Sequence, residues 1–213
     1  MRYYFDTEFQ EGVTNKGRGF IWLISLGIVA EDGRRAYWEC WGFDWFTADQ
    51  WLVDNVKPHL TGPKTRRKVI WDELVDFVGD DPEPEFWAYV DPYDWIAMVQ
   101  LGGGLMYKPK SWPHSSHDLK ELMLQAGLSR GDLPVQEGSV HRADDDAEWV
   151  RVAHAFILQR MDEIAEQDPV RLLLAEWKDE LDLRYAYSGD PDPGGTRALK
   201  KFIPLLEEAL KTR

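Results

Sequence analysis

The opening strand is the feature that most constrains this chain. Arg2 to Phe9 reads Arg-Tyr-Tyr-Phe-Asp-Thr-Glu-Phe, and its Tyr and Phe content suits a buried strand. Residues two apart on a strand leave the same face, so Asp6 and Glu8 emerge together from one side of a sheet. The two carboxylates repel each other, and between Tyr4, Phe5 and Phe9 they resist burial unless cations neutralise them. All-oxygen donors of this kind suit a hard divalent ion such as Mg²⁺ or Mn²⁺. Taken alone, the segment fits equally well a strand whose acidic end lies in water.

Charge sharpens the question. The 213 residues carry 25 Lys+Arg against 38 Asp+Glu, a formal charge of −13. That acidity argues against a coat for duplex nucleic acid or a protein docked on an anionic membrane, because both partners would be repelled. An enzyme that takes a short polyanion through metal ions stays open. The apolar run Phe20 to Ala30, interrupted by Ser25, is too short to span a bilayer, so no membrane partner is expected. The first residues lack the apolar stretch of a signal peptide, and the single Cys40 allows no internal disulfide; a cytoplasmic location is the expectation.

The hydrophobic pattern predicts an α/β fold. Strands are expected at Arg2–Phe9, Phe20–Ala30 and Ala36–Phe43, the last two joined by a turn at Asp32-Gly33, a hairpin signal. Helices follow at Ala48–Val56, with Thr47 as N-cap, and Arg66–Val78, with Thr65 as N-cap. Glu85–Val90 reads as a fourth strand and Tyr93–Leu101 as a helix stopped by Gly102-Gly103-Gly104. The loop Lys108–Pro113 is the candidate for a short fifth strand. Helices are expected at Asp118–Ala126, from Ala143 to about Gln167, from Asp168 to about Leu183, and at Thr196–Lys211, where Pro204 introduces a kink. Residues 1–160 are expected to form the main domain. Residues 161–213 would be a helical extension packed on that core or on a second copy.

Further residues could join the acid pair. Asp94 starts a helix after the fourth strand, in the crevice where α/β sheets place ligands. His141-Arg142-Ala143-Asp144-Asp145-Asp146-Ala147 opens the long helix. Neutral His has a pKa suited to accepting a proton from water. Helical geometry would pair His141 with Asp144 or Asp145, so spacing does not select Asp146, and acids also favour helix N-termini for dipole reasons alone. Phe9, Tyr93 and Trp95 are aromatics beside these acids that could stack on a base. The cationic Arg66-Arg67-Lys68 reads as a solvated face. Lys108, Lys110 and Arg142 are weaker phosphate candidates, and His114 and His117 read as a surface loop.

The order of motifs, Asp6-x-Glu8 on strand one, Asp94 after strand four and His141-x-Ala143-x-x-Asp146-Ala147 before a helix, resembles the DEDDh family of 3′–5′ exonucleases. The start Arg2 to Phe9, with Trp87-Ala88-Tyr89-Val90 ahead of Asp94, looks like the small mycobacterial-type exoribonucleases of that group. The resemblance covers about Met1 to Gln159 and departs at the second motif, where Tyr93 precedes Asp94 and no Asn lies upstream. It implies a ribonuclease H-like mixed sheet with antiparallel strands one to three, a parallel strand four and a short strand five, flanked by helices. It also implies two Mg²⁺ or Mn²⁺ ions. Asp6, Glu8 and Asp146 would hold one, Asp6 would bridge to the second, and Asp94 would support that second ion through water.

By the same resemblance, His141 takes the proton from the attacking water, and nucleoside 5′-monophosphates leave the 3′ end of single-stranded RNA. Related enzymes are often dimers, so a homodimer is an expectation too. A 3′–5′ DNA exonuclease and a catalytically silent nuclease-fold binding module are the alternatives. A glycosidase is disfavoured because Asp6 and Glu8 lie too close along one strand to flank a sugar.

Overall fold

The computed structural model describes residues 1–13, 17, 19–166, 174, 177–178 and 202–208. Met1–Ile157 form one compact unit and Leu158–Arg213 a second. In the first, β1 (Arg2–Val13), β2 (Gly19–Ala30), β3 (Arg35–Cys40), β4 (Lys64–Thr65), β5 (Glu85–Ala88) and β6 (His117–Asp118) build one sheet in the order β4-β3-β2-β1-β5-β6. β1 is central. It pairs antiparallel with β2, placing Asp6 opposite Gly27, and parallel with β5, placing Tyr4 opposite Trp87. The β2–β3 pair is antiparallel and the β3–β4 and β5–β6 pairs are parallel. Every strand except β2 therefore runs in one direction, and their carboxyl ends share one edge of the sheet.

Alternation along β1 distributes the core. Tyr3 and Phe5 pack with Ile70, Leu74 and Val78 of α2 (Arg67–Val78) and with Trp95 and Met98 of α3 (Pro92–Val99). Tyr4 packs on the opposite face, with Leu119 and Met123 of α4 (Leu119–Gln125) and with Trp149, Val150, Ala153 and Ile157 of α5 (Ala143–Glu166). A smaller cluster joins Ile24 of β2 to Leu52 of α1 (Gln50–Asn55) and to Val56. The expected turn forms at Asp32-Gly33, where Gly33 adopts φ 90° and its N–H donates to the Ala30 carbonyl.

Several boundaries differ from the sequence reading. The side chain that caps α1 is Asp49, not Thr47, because its carboxylate reaches the Trp51 N–H at 2.9 Å. Thr65 does not cap α2 either, since it pairs with Cys40 as the last residue of β4, an edge strand too short for any periodic signal. Lys108–Pro113 forms no strand; the short strand beyond β5 is His117–Asp118. In the second unit, Leu174 and Ile203 are buried, Lys178 pairs with Glu207, and residues 202–208 are helical. Most of the helix expected over 168–183, the linker 188–195 and the ends of the helix 196–211 lie outside the described residues. Among the described residues, no helix is long and apolar enough to cross a membrane.

Candidate active site

The acids of β1 face the same way as Tyr4, toward α5. There one carboxylate oxygen each of Asp6, Glu8 and Asp146 falls within a 4.8 Å spread. Thr7, between the two acids, faces the other side and reaches α3. Its backbone N–H and its hydroxyl both donate to Asp94 Oδ1, at 3.0 and 2.5 Å. One strand thus positions acids from both sides of the sheet. They line a cavity of about 430 Å³ together with Phe9, Tyr93, Arg130, Gln136 and His141.

Tertiary partners sort the three consecutive aspartates. Asp144 is held by Arg35 and by Arg142, each at 2.9 Å. Asp145 accepts from the Ser139 N–H at 2.9 Å and pairs with Arg35. Asp146 alone of the three lines the cavity, where Gln136 Nε2 donates to its Oδ1 at 2.6 Å. Arg142 is accordingly a strut for the start of α5, bonding also to the His59 carbonyl and Thr61.

Burial pushes every carboxyl of the cluster up, and repulsion from the other cluster acids adds to it at Asp6 and Glu8. Desolvation is the largest cause at each. It holds Asp6 well above its ordinary value, with Asp94, Glu8 and Asp146 adding repulsion. Glu8 is pushed up to about 8 by burial and then by Asp146 and Asp94. Asp94 is pushed up to about 7 by burial, against the two Thr7 hydrogen bonds that favour its charged form. Asp146 is raised less, because Gln136 and His141 oppose its desolvation. Such a cluster does not carry its full charge at neutral pH without a balancing cation.

His141 Nδ1 lies 3.8 Å from Glu8 Oε1, and the ring meets Trp51 of α1 edge-on, with centroids 4.8 Å apart. Its backbone is left-handed, at φ 65°, and so is that of Val90, at φ 62°. Two non-glycine residues of one cavity in this costly region are strained where the side chains must be aimed. Phe9 and Tyr93 stack at 5.9 Å between centroids, with planes 18° apart, and form an aromatic wall. Trp95 is placed elsewhere. It is 5% exposed, packs on Phe5 and Phe86, and donates to the His114 carbonyl at 3.1 Å. One helical step past Asp94 turns it into the core. Asp91 is also drawn away, accepting from the Ser116 hydroxyl.

Sequence reasoning missed Thr7, Gln136, Trp51 and Arg130. Thr7 carries a signal, because the residue between two same-face acids must serve the opposite face. Gln136 and Arg130 lie in segments with no period, and nothing along the helix that carries Trp51 points it at His141. The Arg130 guanidinium sits 3.7 Å from the Trp149 ring centroid and 5.8 Å from that of Tyr89, inside the acidic cavity. Lys108 instead donates to the Trp112 carbonyl, and His117 stacks on Trp87.

Fold and cavity together define an α/β protein with a carboxylate-cluster site on the middle of its central strand. No family model matches the chain. Over 154 residues, 69% of this chain, it is 36% identical to the 3′–5′ exoribonuclease Rv2179c of Mycobacterium tuberculosis strain H37Rv, and it spans 87% of that relative. The match to the 3′–5′ exoribonuclease MT2234.1 of strain CDC 1551 has the same identity and coverage. The chain belongs to this family of 3′–5′ exoribonucleases.

Proposed function

We propose that this protein is a metal-dependent 3′–5′ exoribonuclease of the DEDDh type, with a ribonuclease H-like fold. It would remove nucleoside 5′-monophosphates from the 3′ ends of single-stranded RNA in the cytoplasm. The observation that carries the reading is the convergence of Asp6, Glu8 and Asp146 within 4.8 Å. Family membership supplies the reaction. The residues fit divalent ions: the donors are all carboxylate oxygens, which suit Mg²⁺ or Mn²⁺, and burial leaves their charge uncompensated.

In this reading Asp6, Glu8 and Asp146 would hold one ion, and Asp94, anchored by Thr7, would help hold a second. Bound divalent ions supply Lewis acidity and stabilise the attacking and leaving oxygens of the phosphodiester. His141 takes the proton of the attacking water. Its side chain is 37% exposed, so it can pass that proton to solvent, while the edge of Trp51 limits its rotation. The Phe9–Tyr93 wall offers a face for the terminal base, and Arg130 offers N–H donors to a phosphate.

The test is nucleotide release from 5′-labelled RNA and DNA oligomers by the purified chain in Mn²⁺. Stepwise shortening of RNA from its 3′ end is expected, abolished by Asp6→Ala. His141→Ala should slow it by about 10²–10⁴-fold, the usual worth of a general base. Release unchanged in Asp6→Ala would sink the catalytic reading, and preference for DNA would sink the RNA assignment.

A further inference from the structure

We infer that a second groove, formed by Trp22, Trp41, Arg66 and Arg67, binds the single-stranded RNA upstream of the 3′ end. The inference rests on the exoribonuclease reading and says where the rest of that substrate lies. The groove measures about 650 Å³ and is also lined by Phe20 and Ile21.

Its position follows from the strand directions. The acidic cavity gathers at the middle of β1, just past the carboxyl end of β5. Trp41 follows β3, Arg66 and Arg67 follow β4, and Trp22 lies opposite Gln10, two residues past Glu8. The second hollow lies farther along the sheet than the acids, over β2–β3–β4 and the start of α2, so a chain leaving the α5 side of the sheet reaches it around the sheet's end.

The chemistry of the groove suits a polyanion with flat bases. Among the described residues, Arg2, Arg34, Arg35, Arg142, Arg151 and Arg160 each pair with a carboxylate. Arg66, Arg67 and Arg130 have no carboxylate partner among those residues, and all three line one of the two hollows. In a chain with a net charge of −13, unpaired arginines gathered in the two hollows make a local exception that attracts phosphate. At the first turn of α2 they do not serve the helix dipole, which disfavours cations there.

Trp41 is 65% exposed, yet its backbone is pinned by a 2.8 Å hydrogen bond to the Thr65 carbonyl. Trp22 is 41% exposed and is braced edge-on by Phe43. Two large aromatic faces held toward solvent on fixed backbone are stacking platforms that tolerate any base.

The experiment compares kcat/KM of the intact chain on a dinucleotide and on an RNA of about twelve nucleotides. The variants are Trp41→Ala and the pair Arg66→Gln with Arg67→Gln. Loss of one stacked base is expected to lower kcat/KM on the longer RNA about tenfold through KM, equivalent to about 1.4 kcal/mol. Dinucleotide cleavage should stay unchanged, which also reports an intact fold. The arginine pair should flatten the salt dependence of binding by about 1.4 in log–log slope, about 0.7 per phosphate on a single strand.

Equal losses on both substrates, or none on the longer one, would overturn the inference. A shift in association state on sedimentation, with unchanged length dependence, would assign the groove to a second copy and overturn it as well. If the unsubstituted chain cleaves neither RNA, the exoribonuclease reading fails separately. Fluorescence anisotropy of the longer RNA then decides the groove: binding lost in Trp41→Ala upholds it, and binding retained overturns it.

Discussion

Glu8 and Asp94 bring the energetics of the site down to single carboxyls. Each is protonated more readily in the folded chain than in the unfolded one, with values near 8 and 7. A carboxyl raised in this way stabilises the fold at low pH, and that contribution is lost as pH climbs through its folded pKa. In chelator-treated protein the melting temperature should therefore fall between about pH 5 and pH 8.5, followed by circular dichroism; a flat or rising profile would contradict the buried cluster. Thr7 offers a second residue-level check. Thr7→Val keeps the shape and the backbone donor but deletes the hydroxyl bond to Asp94. Because that bond is made to a charged group, the variant should lose about 1.5–3 kcal/mol in urea titration where Asp94 is ionised. It should also lose activity.

The critical junction between elements is the contact of α5 with β2. A Cβ built on Gly27 would meet the backbone of Ala143 and Asp144 at 2.3 Å. Gly27 also pairs with Asp6 across the β1–β2 ladder. The missing side chain is therefore what lets the first turn of α5 lie on the sheet and bring Asp146 to the β1 acids. Backbone cannot give way as a side-chain tip can. Gly27→Ala should cost about 1–3 kcal/mol or more by overpacking and should depress nucleotide release beyond that, by withdrawing Asp146. Gly19→Ala, in the same strand with open space around it, should leave both stability and activity intact in the same assays.

For the whole molecule, the charge of −13 acquires a local meaning. Part of it is a carboxylate cluster that two divalent ions, at about +4 together, would invert in sign. Ions that bind only the folded chain raise its stability by about 2.7 kcal/mol at a concentration 100-fold above Kd. Adding millimolar Mn²⁺ at pH 7.5 should raise the melting temperature of the native chain, but not that of Asp6→Asn with Asp146→Asn. No rise in the native chain would count against the site. The remaining acidic excess opposes tight, nonspecific binding of long nucleic acid.

Local rules were enough for much of this. Two-residue periodicity put Asp6 and Glu8 on one face, and Asp-Gly marked the β2–β3 turn. Three-to-four-residue periodicity marked α2, because these patterns depend only on neighbours along the chain. What lies across from a face is a different matter. Neither the capture of Asp144 and Asp145 by Arg35 and Arg142 nor the Gln136 bond to Asp146 has any periodic trace. The burial of Trp95 and the exposure of Trp41 are equally invisible to composition. Sequence alone determined which residues could share a face. Tertiary structure decided which faces meet, because that depends on strand order and on one glycine's width between α5 and β2.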